Sequence, residues 1–216
     1  MNKRRMLLLA AVVFVSVAAS GCGYNTLVTK QQNVRKSWAD VESRLQRRAD
    51  LIPNLFEAAK AAGVQEQEVF GQIAEARSRL LNATGAPPAG EGGDRTPEQR
   101  QQIIEAANSF GGTLGRLLSL QEAYPQLQSN QAFMNFQVEL AGTENRINTA
   151  REDYNASVQD YNTSRNTFPQ VIGAKIYGFK EEPYFQAAAG SREAPKINSE
   201  SLRRNQGGAT APAPSR

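Results

Sequence analysis

An all-α fold is what this sequence predicts: an elongated antiparallel bundle of three to four long helices behind an N-terminal signal or anchor. The main observation is residues 130–168, which hold no proline and one glycine, Gly142. Along them Phe133, Phe136, Leu140, Thr143, Ile147, Ala150, Tyr154, Ser157 or Val158, and Tyr161 recur by threes and fours. That is a nearly unbroken a/d seam of coiled-coil type, separated by Gln, Asn, Glu, Asp and Arg. A second observation is that two upstream stretches carry the same rhythm. A third is that turn-forming residues fall between these stretches more than inside them. A helix of about 39 residues runs roughly 58 Å, and so narrow a stripe stays in water unless other helices lie along it.

At the N-terminus, Lys3-Arg4-Arg5 precede residues 6–19, apolar apart from Ser16, and then Ser20-Gly21-Cys22. A basic flank, a short apolar run and small residues before a cleavage site make a secretory signal over residues 1–21. Ala19-Ser20-Gly21-Cys22 resembles a bacterial lipobox, which makes Cys22 the lipidated first residue of the mature chain; Ala19 departs from the usual aliphatic. Fourteen residues are short of the roughly 20 that span a bilayer. An uncleaved transmembrane anchor over residues 6–28 is the alternative, since no charge interrupts that stretch. Either way the basic flank stays inside, and the body is membrane-anchored on the extracytoplasmic side.

The first long helix is expected over residues 27–49, with Thr26 as N-cap and Leu27, Gln31, Val34, Trp38, Val41 and Leu45 as its stripe. Asp50 followed by Pro53 predicts a restart or kink, because proline is tolerated in a first turn and disruptive inside a helix. Leu55, Phe56, Ala59, Val69, Ile73, Ala76 and Leu80 continue the apolar face to about residue 82, with Gly63 loosening it. Residues 84–95, TGAPPAGEGGDR, read as a flexible loop.

Thr96-Pro97-Glu98-Gln99 opens the next helix with a capping box and Pro at the first helical position. Ile103, Ala107, Phe110, Leu114, Leu117 and Tyr124 form its stripe, and Gly111, Gly112 and Gly115 predict a close helix approach. After the seam helix, residues 170–185 mix Gly, Pro and aromatics and are expected to fold back over the bundle end. Residues 187–216 are rich in Gly, Ala, Pro and Ser and read as a disordered tail. The folded body is therefore one domain, residues 22–186.

Charge and composition remove several function classes. The chain carries +4 overall, but Lys3, Arg4 and Arg5 supply three positives and the tail a net three more, leaving the body at −2. The basic balance is thus no cationic surface, and nucleic acid is not an expected partner. The chain has one Cys and no His. That rules out an internal disulfide, a His-based triad and the usual zinc ligand sets, so no catalytic residue, metal or cofactor is expected. Neither G-x-x-x-x-G-K-[ST] nor G-x-G-x-x-G occurs.

What remains is polar surface that can bind. Arg47, Arg48, Asp50 and Asn54 surround Pro53 as a partner-docking or anion-holding corner, or as a local cap network. Asp153-Tyr154-Asn155 recurs one heptad later as Asp160-Tyr161-Asn162, placing Tyr154 and Tyr161 on one stripe. The stripe is either core with polar tips or a stacking platform for a glycan or peptide. Tyr184 and Phe185, with Phe168, Tyr177 and Phe179, either cap the core or form an exposed patch. Among the carboxylates, Glu139 and Glu144 are five apart and Glu152 and Asp153 adjacent, poor spacings for an acid/base pair on one helix face.

Several stretches resemble the LemA family. They include Tyr24-Asn25-Thr26-Leu27-Val28, Arg47-Arg48-Ala49-Asp50-Leu51-Ile52-Pro53-Asn54-Leu55, Glu122-Ala123-Tyr124-Pro125, Asn130-Gln131-Ala132-Phe133 and Glu144-Asn145-Arg146-Ile147. Ala150-Arg151-Glu152-Asp153-Tyr154-Asn155, Val158-Gln159-Asp160-Tyr161-Asn162, Thr167-Phe168-Pro169, Gly178-Phe179-Lys180 and Pro183-Tyr184-Phe185 continue the match in order. The resemblance implies a membrane-anchored, all-α protein of the bacterial envelope with no established enzymatic activity. It points to an envelope partner such as a TPM-domain protein or a membrane protease. Where the family usually has His-Glu, this chain has Gln65-Glu66, so no metal role of that His carries over. The expectation is a non-enzymatic scaffold or accessory protein acting through protein–protein interaction. The alternatives are a binding module for a cell-wall or lipid ligand and a carboxylate-dependent hydrolase.

Overall fold

A computed structural model describes residues 3–90 and 93–186. The regular structure among the described residues is helical, with no strand: α1 Lys3–Ala61, α2 Gln67–Gly85, α3 Pro97–Ala123, α4 Gln126–Ser129, α5 Gln131–Asn166 and α6 Gln170–Ile176. The expected disordered tail, residues 187–216, lies outside the described residues, as does the Cys22 side chain on which lipidation was expected. Among the described residues no helix is long and apolar enough to cross a membrane.

The helices associate as two antiparallel pairs. In the first, α1 lies along α5: Lys30 meets Asp160 at one end, and Arg48 and Arg47 meet Glu144 and Glu139 towards the other. In the second, α2 and α3 form a hairpin in which Arg116 donates to Gln72. α2 folds back on α1 through Phe56 and Phe70, whose rings lie 4.9 Å apart. Long side chains join the pairs, with Arg48 over Phe110 at 5.8 Å and Arg100 over Trp38 at 5.7 Å.

The seam on α5 is buried at Phe133, Leu140, Thr143, Ile147, Ala150, Tyr154, Val158 and Tyr161, with Asn162 added. Of the two candidates at that step, Val158 takes the inward position. Asn130 caps the helix, its side chain accepting from the Phe133 N–H at 3.0 Å. The capping box of α3 is present: Gln99 N–H donates to Thr96 Oγ1 (3.2 Å) and Thr96 N–H to Gln99 Oε1 (3.1 Å).

Four expectations need correction. Thr26 is not an N-cap, because α1 runs through it from Lys3. Nor does the chain restart at Asp50, since Pro53 lies inside α1. A proline lacks the N–H that would bond the carbonyl four residues back. Here that carbonyl belongs to Ala49, and Arg77 of α2 supplies the missing donor, Nε to O at 2.7 Å. The break falls at Gly63 instead. Its φ of +86° is a left-handed conformation open to glycine. The Val64 N–H bonds the Ala59 carbonyl (3.1 Å) and the Gly63 N–H that of Lys60 (2.9 Å), a Schellman closure with Val64 buried behind it.

The third correction concerns the glycines of α3. Among the described residues, a Cβ on Gly112 or Gly115 would touch nothing within 4 Å, and one on Gly111 would meet only the Arg48 guanidinium, 3.7 Å away. They mark no close helix approach; Gly111 leaves room for an arginine. Fourth, the described part of the 84–95 loop is tied down. Arg95 bonds Glu42 and the carbonyls of Thr84 and Ala86, and Gln99 donates to the Pro87 carbonyl. At Gly90 a Cβ would lie 2.7 Å from the Asp94 carbonyl oxygen, an approach that only glycine allows.

Candidate functional site

The two Asp-Tyr-Asn repeats on α5 hold the C-terminal segment that follows α6. One heptad of helix advances about 10.5 Å, and three residues of extended chain about 10 Å. A repeat of seven on α5 therefore matches a step of three along an extended strap running the other way. Tyr161 Oη donates to the Lys180 carbonyl and Tyr154 Oη to that of Pro183, each at 2.8 Å. Asn162 bonds both backbone groups of Glu182, donating to its carbonyl at 2.9 Å and accepting its N–H at 3.1 Å. Asn155 does the same at Phe185, at 3.0 and 2.7 Å. Each asparagine amide thus pairs with the strap as a neighbouring β-strand would.

Burial pushes the Tyr161 phenol up to about 12 and the Tyr154 phenol upward as well, so both remain donors. At the rung made by Asn162 the strap inserts the Glu182 side chain against Arg100, which is fully buried on α3. Arg100 reaches Glu182 Oε2 at 2.7 Å with one nitrogen and both Asp94 oxygens at 2.9 and 3.0 Å with another. Arg35 of α1 faces Asp94 at 2.7 Å. Burial works against the Arg100 charge, but Glu182 and Asp94 overcome it and hold the guanidinium above its ordinary value. Burial also raises the Glu182 carboxyl, partly offset by Arg100.

Of the surface candidates, Tyr154, Tyr161 and Phe185 are buried, and Tyr184 is exposed. The tyrosine stripe is therefore core with polar tips, and those tips bind this chain's own backbone. Phe185 packs beneath the Arg151 guanidinium, 4.4 Å from its ring centre.

The corner around Pro53 does not converge, because neighbours on a helix point about 100° apart. Arg48 turns inward to Glu144 (2.5 Å), its charge opposed by burial and supported by that carboxylate. Arg47 turns outward to Glu139 (3.0 Å). Asn54 lies on a shallow groove beside Pro53 and Phe56. Arg47 and Asp50 share a different groove, about 520 Å³, between α1 and α5; Asp40, Arg44 and Arg146 also line it. Arg44 and Arg146 have no ion-pair partner among the described residues. Glu139 and Glu144 both act as struts to arginines. Among the described residues no group of three or more His, Cys, Asp or Glu is placed to hold a metal.

The Arg100 cluster was missed, although a signal existed. Arg100 is three residues before Ile103 and seven before Ala107, on the stripe that became core. An arginine at a core position needs a buried carboxylate. Periodicity gives no means of finding Glu182 in a non-periodic strap.

The LemA family profile matches residues 37–198. The chain belongs to the LemA family. Among curated proteins, this LemA-family chain is 30% identical over 175 residues to magnetosome protein MamQ 2 of Paramagnetospirillum magneticum, covering 76% of this chain and 64% of the relative. Magnetosome protein MamQ of Magnetospirillum gryphiswaldense is 28% identical over 174 residues, with 75% and 64% covered. The chain thus spans less than two thirds of these relatives' length. The family-like segments around Tyr154, Tyr161, Lys180 and Pro183 are the two sides of the strap ladder. Glu66 of this LemA-family chain accepts from Tyr124 Oη at 2.6 Å, joining the start of α2 to the end of α3.

Proposed function

We propose that this protein is a membrane-anchored, non-enzymatic helical bundle of the bacterial envelope, a scaffold or accessory protein that works by binding another protein on the extracytoplasmic side. The observation that carries the proposal is the groove between α1 and α5. Arg44 and Arg146 line it with no ion-pair partner among the described residues, and Arg47 and Asp50 flank it. Such a groove suits an acidic segment of a partner, whose carboxylates would take bidentate bonds from guanidinium groups. Glu139 and Glu144, the carboxylates a hydrolase would have used, brace Arg47, Arg48 and Arg151. The relatives are named for the magnetosome and not for a reaction, a likeness that supports a component role. A TPM-domain protein or a membrane protease is the partner class the family resemblance favours.

In-cell cross-linking of the full-length, C-terminally tagged chain, followed by mass spectrometry of purified membranes, tests this reading. One dominant protein partner is expected, lost in Arg44→Glu/Arg146→Glu while circular dichroism stays helical. Recovery of self-cross-links alone, or of a partner indifferent to the charge reversal, would count against it.

A further inference from the structure

Exposed apolar side chains are concentrated at one end of the described body. Of seven large exposed hydrophobic residues, five gather there: Tyr24 (42% exposed), Phe168 (75%), Ile172 (53%), Ile176 (72%) and Tyr177 (56%). Ile172 and Ile176 lie one turn apart on the outer side of α6, and Phe168 just precedes that helix. α6 in turn packs on α1 around Gly23 and Tyr24. The Tyr24 and Tyr177 rings meet edge-on at 4.9 Å, and a Cβ on Gly23 would touch Gln170 at 3.5 Å.

Scattered exposed apolar residues mean little, but a contiguous cluster marks a surface meant to be covered. The chain itself indicates what covers this one. α1 continues from Gly23 back to Lys3 as a single helix, and its apolar run over residues 6–19 ends at Ala19. At 1.5 Å per residue that run ends only about 6 Å along the axis from Gly23. The patch therefore sits beside the point where the most apolar stretch of the chain begins. Its chemistry is interfacial: two isoleucines and a phenylalanine flanked by two tyrosines, with Lys175 exposed next to Ile176. Tyrosines favour the headgroup level, and a lysine beside an apolar stripe favours anionic lipid.

We propose that Tyr24, Phe168, Ile172, Ile176 and Tyr177 form a lipid-facing foot that enters the interface of the membrane to which the N-terminal segment binds. The foot makes a second contact with the bilayer, fixing the angle at which the helices leave its surface. The inference rests on the membrane-anchored reading above.

The test uses the full-length chain in vesicles of phosphatidylethanolamine and phosphatidylglycerol. Trp38 is buried and serves as a constant background. A tryptophan is added at the foot (Ile176→Trp, or Phe168→Trp outside the helix should the first fail to fold) or at a distant exposed site (Val138→Trp). Lipids brominated along their acyl chains should quench the foot tryptophan at least about twofold more than the one at 138. Equal quenching in vesicles that carry the protein would overturn the foot and leave the anchor standing. A blue-shifted but unquenched foot tryptophan would mean that protein, such as a second copy, covers the patch, and would also overturn it. Failure of the chain to float with vesicles would overturn both readings.

Discussion

At the scale of single residues, the structure turns on polar groups that complete backbone bonding elsewhere. Arg77 is the simplest case, donating to the carbonyl that Pro53 leaves without a helical partner. Arg77→Ala should lower stability by about 1–2 kcal/mol in urea unfolding, because a partly buried carbonyl loses a charge-assisted bond. In a Pro53→Ala background, where a helical N–H returns, most of that loss should vanish; an unchanged loss would mean Arg77 acts elsewhere. Tyr161 gives a pH dependence. Its folded value lies near 12, above the ordinary 10.0. Stability from its protonated form is therefore complete below about pH 10 and lost as pH rises through about 12. Phenolate absorbance should show Tyr154 and Tyr161 ionising together with the loss of helical signal. Tyr161→Phe should shift that alkaline transition.

At the scale of elements, two joints decide the path of the chain. Gly63 ends α1 in a left-handed conformation, so Gly63→Ala should destabilise the fold by about 1–2 kcal/mol, measured by thermal unfolding. The strap is the second joint. Hydrogen exchange should resolve it: Asn162→Ala should unprotect the Glu182 amide and Asn155→Ala that of Phe185, each more than the other. Uniform loss of protection along the strap would show a cooperative hinge instead of two independent rungs. Element type was legible in the sequence, since the seam on α5 and the capping box of α3 are local patterns. Where α1 ends was not. Proline and glycine both discourage a helix, and the choice between them depended on Arg77 arriving from α2.

At the scale of the whole molecule, Arg100 ties together α3, Asp94 just before it, α1 and the strap through Glu182, Asp94 and Arg35. Arg100→Met should cost about 3–5 kcal/mol, because it leaves the buried Glu182 carboxylate without its cation and Asp94 with Arg35 alone. The double change Arg100→Met/Glu182→Gln should recover part of that loss, with recovery read from the midpoint of chemical unfolding. If the double variant is no more stable than the single one, the cluster acts by shape and not by charge.

By itself the sequence determined that the chain is helical, which faces turn inward along α3 and α5, and that its family is LemA. These properties follow from spacing along one helix, which a linear string records. Tertiary structure alone decided that Tyr154 and Tyr161 hold the strap, that Arg48 turns inward while Arg47 turns outward, and that the exposed apolar residues gather around Tyr24 of α1. Each of these depends on which distant segment arrives at a given face. A heptad on a helix and three residues of strap have nearly the same length, yet nothing in either segment alone reveals that they meet.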